Sequence, residues 1–141
     1  MSMYVHETQV RVRYGETDQM GYVYYGYYAQ YYEVGRVELM RTLGVRYKDL
    51  EEKDGILLPV VSMQARYLRP GLYDELLTVK TTLKELPGEF ITFYHDILNE
   101  KGELINAAHV RLCFFDAIAK VKVQPPESLM LHLKPYFDTS T

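Results

Sequence analysis

Tyr24-Tyr25-Gly26-Tyr27-Tyr28-Ala29-Gln30-Tyr31-Tyr32-Glu33-Val34-Gly35-Arg36-Val37-Glu38-Leu39-Met40-Arg41-Thr42-Leu43 is the stretch on which the fold turns. Tyr24, Tyr28, Tyr32, Gly35, Leu39 and Leu43 follow steps of four and three, which predicts one apolar face of a helix over about 24–43. Gly44 follows as a stop. A helix of that length runs about 30 Å at ~1.5 Å per residue. Gly35 lies inside it, on the apolar face. Glycine there costs about 1 kcal/mol relative to alanine, so close approach of another backbone is the expected reason for it. Glu33 with Arg36, and Glu38 with Arg41, are three apart and read as solvated pairs.

On either side of this stretch the period is two. Thr8, Val10, Val12 and Tyr14 alternate with Glu7, Gln9, Arg11 and Arg13, predicting a half-buried strand over 4–14. Residues 47–54 read as a short polar helix or turn ending at Gly55. Four more strands follow, over 56–68 (Val61, Met63, Ala65 and Tyr67 on one parity), 75–85, 90–98 and 104–116. Arg69-Pro70-Gly71, Pro87-Gly88 and Glu100-Lys101-Gly102 separate them. Pro125-Pro126 opens a tail, with a short helix over 127–133. The order of elements predicts an α+β fold: one long helix on a mainly antiparallel sheet of about five strands. So apolar a helix calls for cover over most of its circumference, which twisted strands curling around it supply. The outer sheet face and its edges invite a second copy, as a homodimer or homotetramer.

The chain has 141 residues, 48% hydrophobic and 25% charged, which fits a single domain over 1–141 with a sizeable core. A net charge of -3 gives no electrostatic reason to expect nucleic acid. Cys113 is the one cysteine, in an apolar run, and reads as a buried hydrophobe. No Cys/His cluster has metal-ligand spacing, so no metal site is expected from the residues. The start of the chain lacks the basic and apolar segments of a signal peptide, and no apolar run approaches the ~18–20 residues of a membrane span. A cytoplasmic location is the expectation.

The chemistry is sought in Tyr14-Gly15-Glu16-Thr17-Asp18-Gln19-Met20-Gly21-Tyr22-Val23, between strand and helix. Asp18 places a carboxylate there. No Ser, Thr, Asp or Asn cap stands close to the helix start at Tyr24 to Gly26, so backbone N–H groups are left open for an anion or a developing oxyanion. Gly21 and Gly26 let a ligand approach the backbone. Each feature also has a plain structural explanation. A lone loop Asp is more often a turn or cap residue, an uncapped helix start is common, and tyrosine-rich helices are usually packing faces. The residues alone stop at a small α+β oligomer with a candidate site near Asp18.

The pattern Tyr14, Thr17-Asp18, Gly21, Val23-Tyr24, Tyr28, Glu33, Arg36 and Leu43-Gly44 resembles the hot-dog-fold acyl-CoA thioesterases of the 4-hydroxybenzoyl-CoA thioesterase and YbgC-like type. The resemblance extends through Tyr67-Leu68-Arg69-Pro70, Asp74-Glu75-Leu76-Leu77-Thr78-Val79 and Phe115-Asp116. It implies a sheet wrapped around the long helix, dimerised with sites at the subunit interface, and acyl-CoA hydrolysis without metal or cofactor. It implies that Asp18 acts as nucleophile, through a mixed anhydride, or as general base toward water. The N–H of Tyr25 is implied to donate to the thioester carbonyl. Gly21, Val23, Tyr24 and Gly26 are the expected substrate-binding positions around them. A thioester suits so sparse a site: its thiol leaving group has a pKa near ~8.5, which lessens the need for a general acid.

Many YbgC-like relatives carry His and then Ala-Asn where this chain has Tyr25-Gly26-Tyr27. A backbone role survives that change, since any residue but proline supplies the N–H; a side-chain role of the His does not. Tyr25 and Tyr27 are candidates for shaping an acyl pocket. A hot-dog dehydratase needs an activated His, and His6, His95, His109 and His132 all lie outside the loop and helix. A non-catalytic acyl-CoA-binding module or scaffold subunit is the other rival, distinguished by binding without turnover. Arg66, Arg69, Lys84 and Lys101 are candidates for the CoA phosphates by residue type alone.

Overall fold

The computed structural model describes residues 3–137; Met1, Ser2 and the last four residues of the expected domain lie outside them. Strand β1 (Tyr4–Arg11) is followed by short 3₁₀ turns at Tyr14–Glu16 and Tyr25–Tyr27, the second running into α1 (Tyr28–Thr42). Next come α2 (Tyr47–Lys53), β2 (Ile56–Leu57), β3 (Val60–Tyr67), β4 (Leu76–Leu83), β5 (Phe90–Leu98), β6 (Leu104–Asp116), β7 (Lys122–Val123) and α3 (Glu127–Leu133). All strand pairs are antiparallel, in the order β1-β4-β5-β6, with β2, β3 and β7 all pairing with β6. The five long strands match the five expected. The two-residue strands β2 and β7 bring the sheet to seven and are too short to carry a period.

The inner face of the sheet carries Leu77, Val79 and Leu83 of β4, Ile91, Phe93 and Ile97 of β5, and Val110, Leu112 and Phe114 of β6, all buried. α1 lies over β1, β4 and β5, burying Tyr28, Tyr31, Tyr32, Gly35, Arg36, Leu39 and Met40. It ends where Gly44 takes a positive φ of 85° and Val45 N–H bonds back to the Met40 carbonyl, a left-handed stop of the kind glycine favours. Leu129 and Leu133 of α3 close the core from the tail.

Several expectations need correction. The first strand stops at Arg11, and Tyr14 starts a 3₁₀ turn with its ring exposed. Tyr24 precedes the helix and is 50% exposed, so it is not part of the buried face. α1 is covered on one side only: Ala29, Gln30, Glu33 and Val34 face outward. β3 is exposed on both parities, with Val60, Val61, Met63 and Tyr67 open, because α1 does not extend over it. Leu104 is exposed as well, beside the pairing irregularity at Ile97/Leu98.

Arg36 is not a solvated partner of Glu33. It is 7% exposed, and its Nε has no hydrogen-bond partner among the described residues. It sits by His95, which is held on the inner sheet face against Thr81 (Nδ1 to Oγ1, 3.0 Å) and stacked on Tyr32 at 5.1 Å between centroids. Burial first, and then the Arg36 guanidinium, pull the His95 pKa down to about 3, so this histidine is neutral packing at physiological pH. The Tyr32 hydroxyl donates to Asn106 Oδ1 beside it.

Gly35 does admit a close neighbour, but side chains rather than a backbone. A Cβ there meets the Thr81 hydroxyl and lies 2.9 Å from Val79 Cγ1. Helix propensity alone favours Gly35→Ala by about 1 kcal/mol, whereas overpacking a filled core costs about 1–3 kcal/mol. Both contact atoms sit on stiff β-branched residues, so overpacking wins. Gly35→Ala is expected to lower stability in urea denaturation, and to cost less in a Thr81→Ala background than in the parent; a stabilised single variant contradicts this packing account.

Candidate active site

Glu16 and Asp18 are two residues apart and do opposite things. Glu16 is 5% exposed. Its Oε1 accepts the Arg13 N–H at 3.0 Å and the Tyr31 hydroxyl at 2.7 Å; its Oε2 accepts Arg13 Nε at 2.8 Å. Burial on its own pushes a carboxyl up, but the Arg13 N–H, the Tyr31 hydroxyl and the guanidinium together outweigh it and hold Glu16 below the usual carboxylate range. The same environment, burial first and then Glu16, pushes the Tyr31 hydroxyl up. Glu16 is thus a fixed anchor between the end of β1 and the first turn of α1.

Asp18 is exposed. Its Oδ1 accepts N–H groups from Met20 (2.9 Å) and Tyr22 (3.2 Å), and Gly21, at φ 77°, bonds to its carbonyl at 3.0 Å. The side chain therefore caps its own tight turn, as the plain structural reading has it. Its Oδ2 accepts no hydrogen bond from the described residues, so one carboxylate oxygen remains for chemistry.

The helix start stands beside it. Tyr24 N–H donates to the Glu16 carbonyl at 2.9 Å and Tyr27 N–H to the Tyr24 carbonyl at 2.8 Å. No side chain caps the turn, and the N–H groups of Tyr25 and Gly26 have no acceptor among the described residues. Such orphan donors, at the positive end of α1, suit a developing negative charge.

Asp18, Val23 and Tyr25 line one groove of about 330 Å³, together with Tyr28, Tyr67 and Arg69. Asp18 and Gly21 also line a second, of about 560 Å³, with Tyr14 and Tyr73. Tyr24 and Gly26 line neither: the Tyr24 ring lies over Gly26, where a Cβ would come within 2.9 Å of it. Tyr25 and Tyr27 part company, Tyr27 facing a groove with Tyr31 and Arg13 on the other side of the turn. Tyr67 through Pro70 reach the site across the fold because Val23 N–H bonds to the Gly71 carbonyl at 2.8 Å and Gly71 N–H to the Tyr28 hydroxyl at 3.2 Å. Their part in a pocket had no local signal beyond the residue type of Arg69; the resemblance singled out Tyr67-Leu68-Arg69-Pro70 as a stretch. Of the four candidate cations, Arg69 alone borders the Asp18 groove, paired loosely with Glu103 at 3.8 Å. Arg66 and Lys84 lie instead in a depression lined by Tyr94 and His109. Among the described residues no three His, Cys, Asp or Glu side chains are grouped to hold a metal ion, and no helix is long and apolar enough to cross a membrane.

The family model described as the thioesterase-like superfamily matches residues 12–133, from just after β1 to the end of α3. The chain belongs to the thioesterase-like superfamily. YneP of Bacillus subtilis, whose name assigns it provisionally to the acyl-CoA thioesterases, is 40% identical over 112 residues, 79% of this chain and 80% of that protein. The acyl-CoA thioester hydrolase YbgC of Shigella flexneri is 28% identical over 125 residues, 89% of this chain and 92% of its own. A solved DHNA-CoA thioesterase from Staphylococcus aureus superposes with a TM-score of 0.81 at 32% identity, covering 94% of this chain and 83% of the other. The hot-dog fold is therefore established along with the superfamily, and the site sits where strand, loop and helix meet within the matched span.

Glu16 supplies the pH test. Its folded pKa is depressed, so it contributes stability fully above its unfolded value of ~4.3 and loses it as pH falls through the lower folded value. Glu16→Gln is expected to be less stable than the parent at neutral pH and to show a shallower loss on acidification below about pH 4. Parallel stability–pH curves for the two proteins would contradict the role given to the Glu16 carboxylate.

Proposed function

We propose that the chain hydrolyses acyl-CoA thioesters to a carboxylic acid and free CoA thiol. The observation that carries this reading is the pairing, along one groove, of a carboxylate with a free oxygen and a helix start with a free N–H. The thioester carbonyl oxygen points at Tyr25 N–H, and Gly21 and Val23 leave room for the acyl carbon beside Asp18. In the general-base route Asp18 takes a proton from water; the hydroxide oxygen bonds to the carbonyl carbon, the C–S bond breaks with its electron pair going to sulfur, and the proton passes on to the thiolate. In the nucleophilic route Oδ2 itself attacks, the thiolate leaves, and water then cleaves the mixed anhydride. The oxyanion accepts a hydrogen bond from the same N–H in both. Single turnover in heavy-oxygen water identifies the nucleophilic route if label enters the Asp18 carboxylate, which requires water to cleave the anhydride at the aspartyl carbon; label in the product acid alone is common to both routes.

Asp18→Asn is the sharper variant, because an amide oxygen still accepts from Met20 and Tyr22 and preserves the turn. Free-thiol release over a panel of acyl-CoAs is expected to fall by roughly 10²–10⁴, the usual worth of a catalytic acid or base, with the melting temperature little changed. Turnover at the parent rate removes Asp18 from the mechanism; acyl-CoA binding without turnover by the parent protein favours the non-catalytic module instead.

A second copy fits the open side of β3, where unpaired backbone and exposed Val61, Met63 and Tyr67 form an apolar edge. A homodimer or larger assembly is the proposed working state. Sedimentation is expected to show at least a dimer, and Met63→Lys to shift it toward monomer. A parent protein monomeric at micromolar concentration argues against this.

A further inference from the structure

The outer face of the sheet, away from α1, holds a depression of about 590 Å³ that hydrolysis at Asp18 leaves unused. The pairing register explains it. One row across the sheet runs Lys80, Asp96, Ala107 and Arg66; the next runs Thr82, Tyr94, His109 and Gln64. Ala107 has the smallest side chain of either row and stands between longer ones, so the surface sinks there. Neighbouring strands are ~4.8 Å apart, which puts Asp96 and Arg66 about 10 Å apart at the backbone, one on each side of Ala107. Residues alternate faces along a strand. Arg66 therefore borders the depression while Tyr67, next in the chain, borders the Asp18 groove, and the sheet itself separates the two. The charges of the depression do not cancel. Arg66 and Lys84 are its two cations and Asp96 its one carboxylate. None of the three belongs to an ion pair among the described residues. Lys84 Nζ lies 3.8 Å from the centre of the Tyr94 ring, and Tyr94 is next but one to Asp96 on the same face of β5, so Lys84 offsets Asp96 at that end. Arg66, diagonal to His109, is left as the surplus cation in a chain of net charge -3.

We propose that this depression binds a small phosphorylated sugar, free or within a nucleotide, at a site separate from the thioester. The phosphate takes the Arg66 guanidinium, whose paired N–H donors match its oxygens, with the His109 ring beside it. The sugar hydroxyls donate to the Asp96 carboxylate, and Gln64 and Thr82 border the space between. A bare anion would have Asp96 facing it, and a neutral sugar would leave Arg66 unmatched. A ligand with one anionic end and one hydroxyl-bearing end suits both. The volume lies within the ~300–1,000 Å³ of ligand pockets. Lys84 and His109 flank the Tyr94 ring, so a base gains little there and recognition rests on the sugar phosphate.

The test titrates the full-length protein with ribose 5-phosphate and, separately, with inorganic phosphate, following backbone amide shifts by NMR. Ribose 5-phosphate is expected to give saturable shifts at residues 64–66 and 107–109. Arg66→Gln is expected to weaken it about tenfold or more, the usual loss for a hydrogen bond to a charged group. Asp96→Asn is expected to lower the ratio of ribose 5-phosphate to inorganic phosphate affinity by about tenfold, which separates hydroxyl recognition from charge. Asp18→Asn is expected to leave both affinities unchanged. No saturable shift at these amides overturns the site, and so does a ratio that Asp96→Asn does not move, which reduces binding to general attraction of anions. Shifts that follow protein concentration instead of ligand give the face to a second copy and overturn it as well. A last arm concerns the source of the phosphate. Arg66→Gln is expected to leave KM for butyryl-CoA unchanged; a KM raised for butyryl-CoA but not for butyryl-N-acetylcysteamine, which lacks the nucleotide, makes the depression the far end of the substrate's own site and overturns a separate one. The binding arms do not depend on hydrolysis, so their failure leaves the hydrolase reading standing.

Discussion

The position of Asp18 depends on a different carboxylate. Glu16 is buried at the junction of β1, the loop and α1, and burying a carboxylate is costly unless its lone pairs are met. Three donors meet them: a backbone N–H, a guanidinium and the Tyr31 hydroxyl from one turn inside the helix. Arg13 itself is largely exposed, so its ion pair is screened by solvent and worth little; the neutral donors matter more because they are local and fixed. The main chain of the same residue accepts the Tyr24 N–H, which sets where the 3₁₀ turn at Tyr25 begins. Loop and helix start are thereby held in register, and Asp18 comes to stand beside the open N–H of Tyr25.

The periods that give the fold its class were plain in the chain because they reflect burial on one side. β4 and β5 alternate, and Leu77, Val79, Ile91, Phe93 and Ile97 are buried as their parity requires. β3 reads just as well in sequence and is exposed on both faces. Alternation records only that one face wants cover, and in a single chain α1 covers β1, β4 and β5 instead. Arg36 failed for a related reason. Spacing from Glu33 suggested a pair, but the helix is turned so that Arg36 joins the buried face next to His95, and charge spacing carries no information on rotation about the axis.

The candidate site was legible in part. Asp18 and Tyr25 come together because both are close in sequence to the same strand-to-helix junction. Glu16, equally close, was ambiguous until Tyr31 fixed its direction. The far wall was invisible to local reasoning, since Tyr67 and Pro70 arrive through hydrogen bonds between Val23, Tyr28 and Gly71, residues up to 48 positions apart in sequence.

The fourteen tyrosines divide along the same line. Tyr28, Tyr31 and Tyr32 are buried, with their hydroxyls bonded to Gly71, Glu16 and Asn106; they are core residues that also tie segments together. Tyr14, Tyr25, Tyr67 and Tyr73 are half or more exposed, Tyr25 at 66%, and all four border the grooves on either side of Asp18. A ring with an apolar body and a wet hydroxyl tolerates water when the groove is empty and gains by losing it when the groove fills. In the proposed hydrolysis, electrostatic help from Asp18 and the Tyr25 N–H is stronger the less water surrounds it. In one chain this site stands open, next to an uncovered β3, so the surface that calls for a second copy and the site that calls for exclusion of water are neighbours. In the proposed dimer, covering β3 and drying the site are two consequences of one assembly step, and the exposed tyrosines are the side chains suited to both.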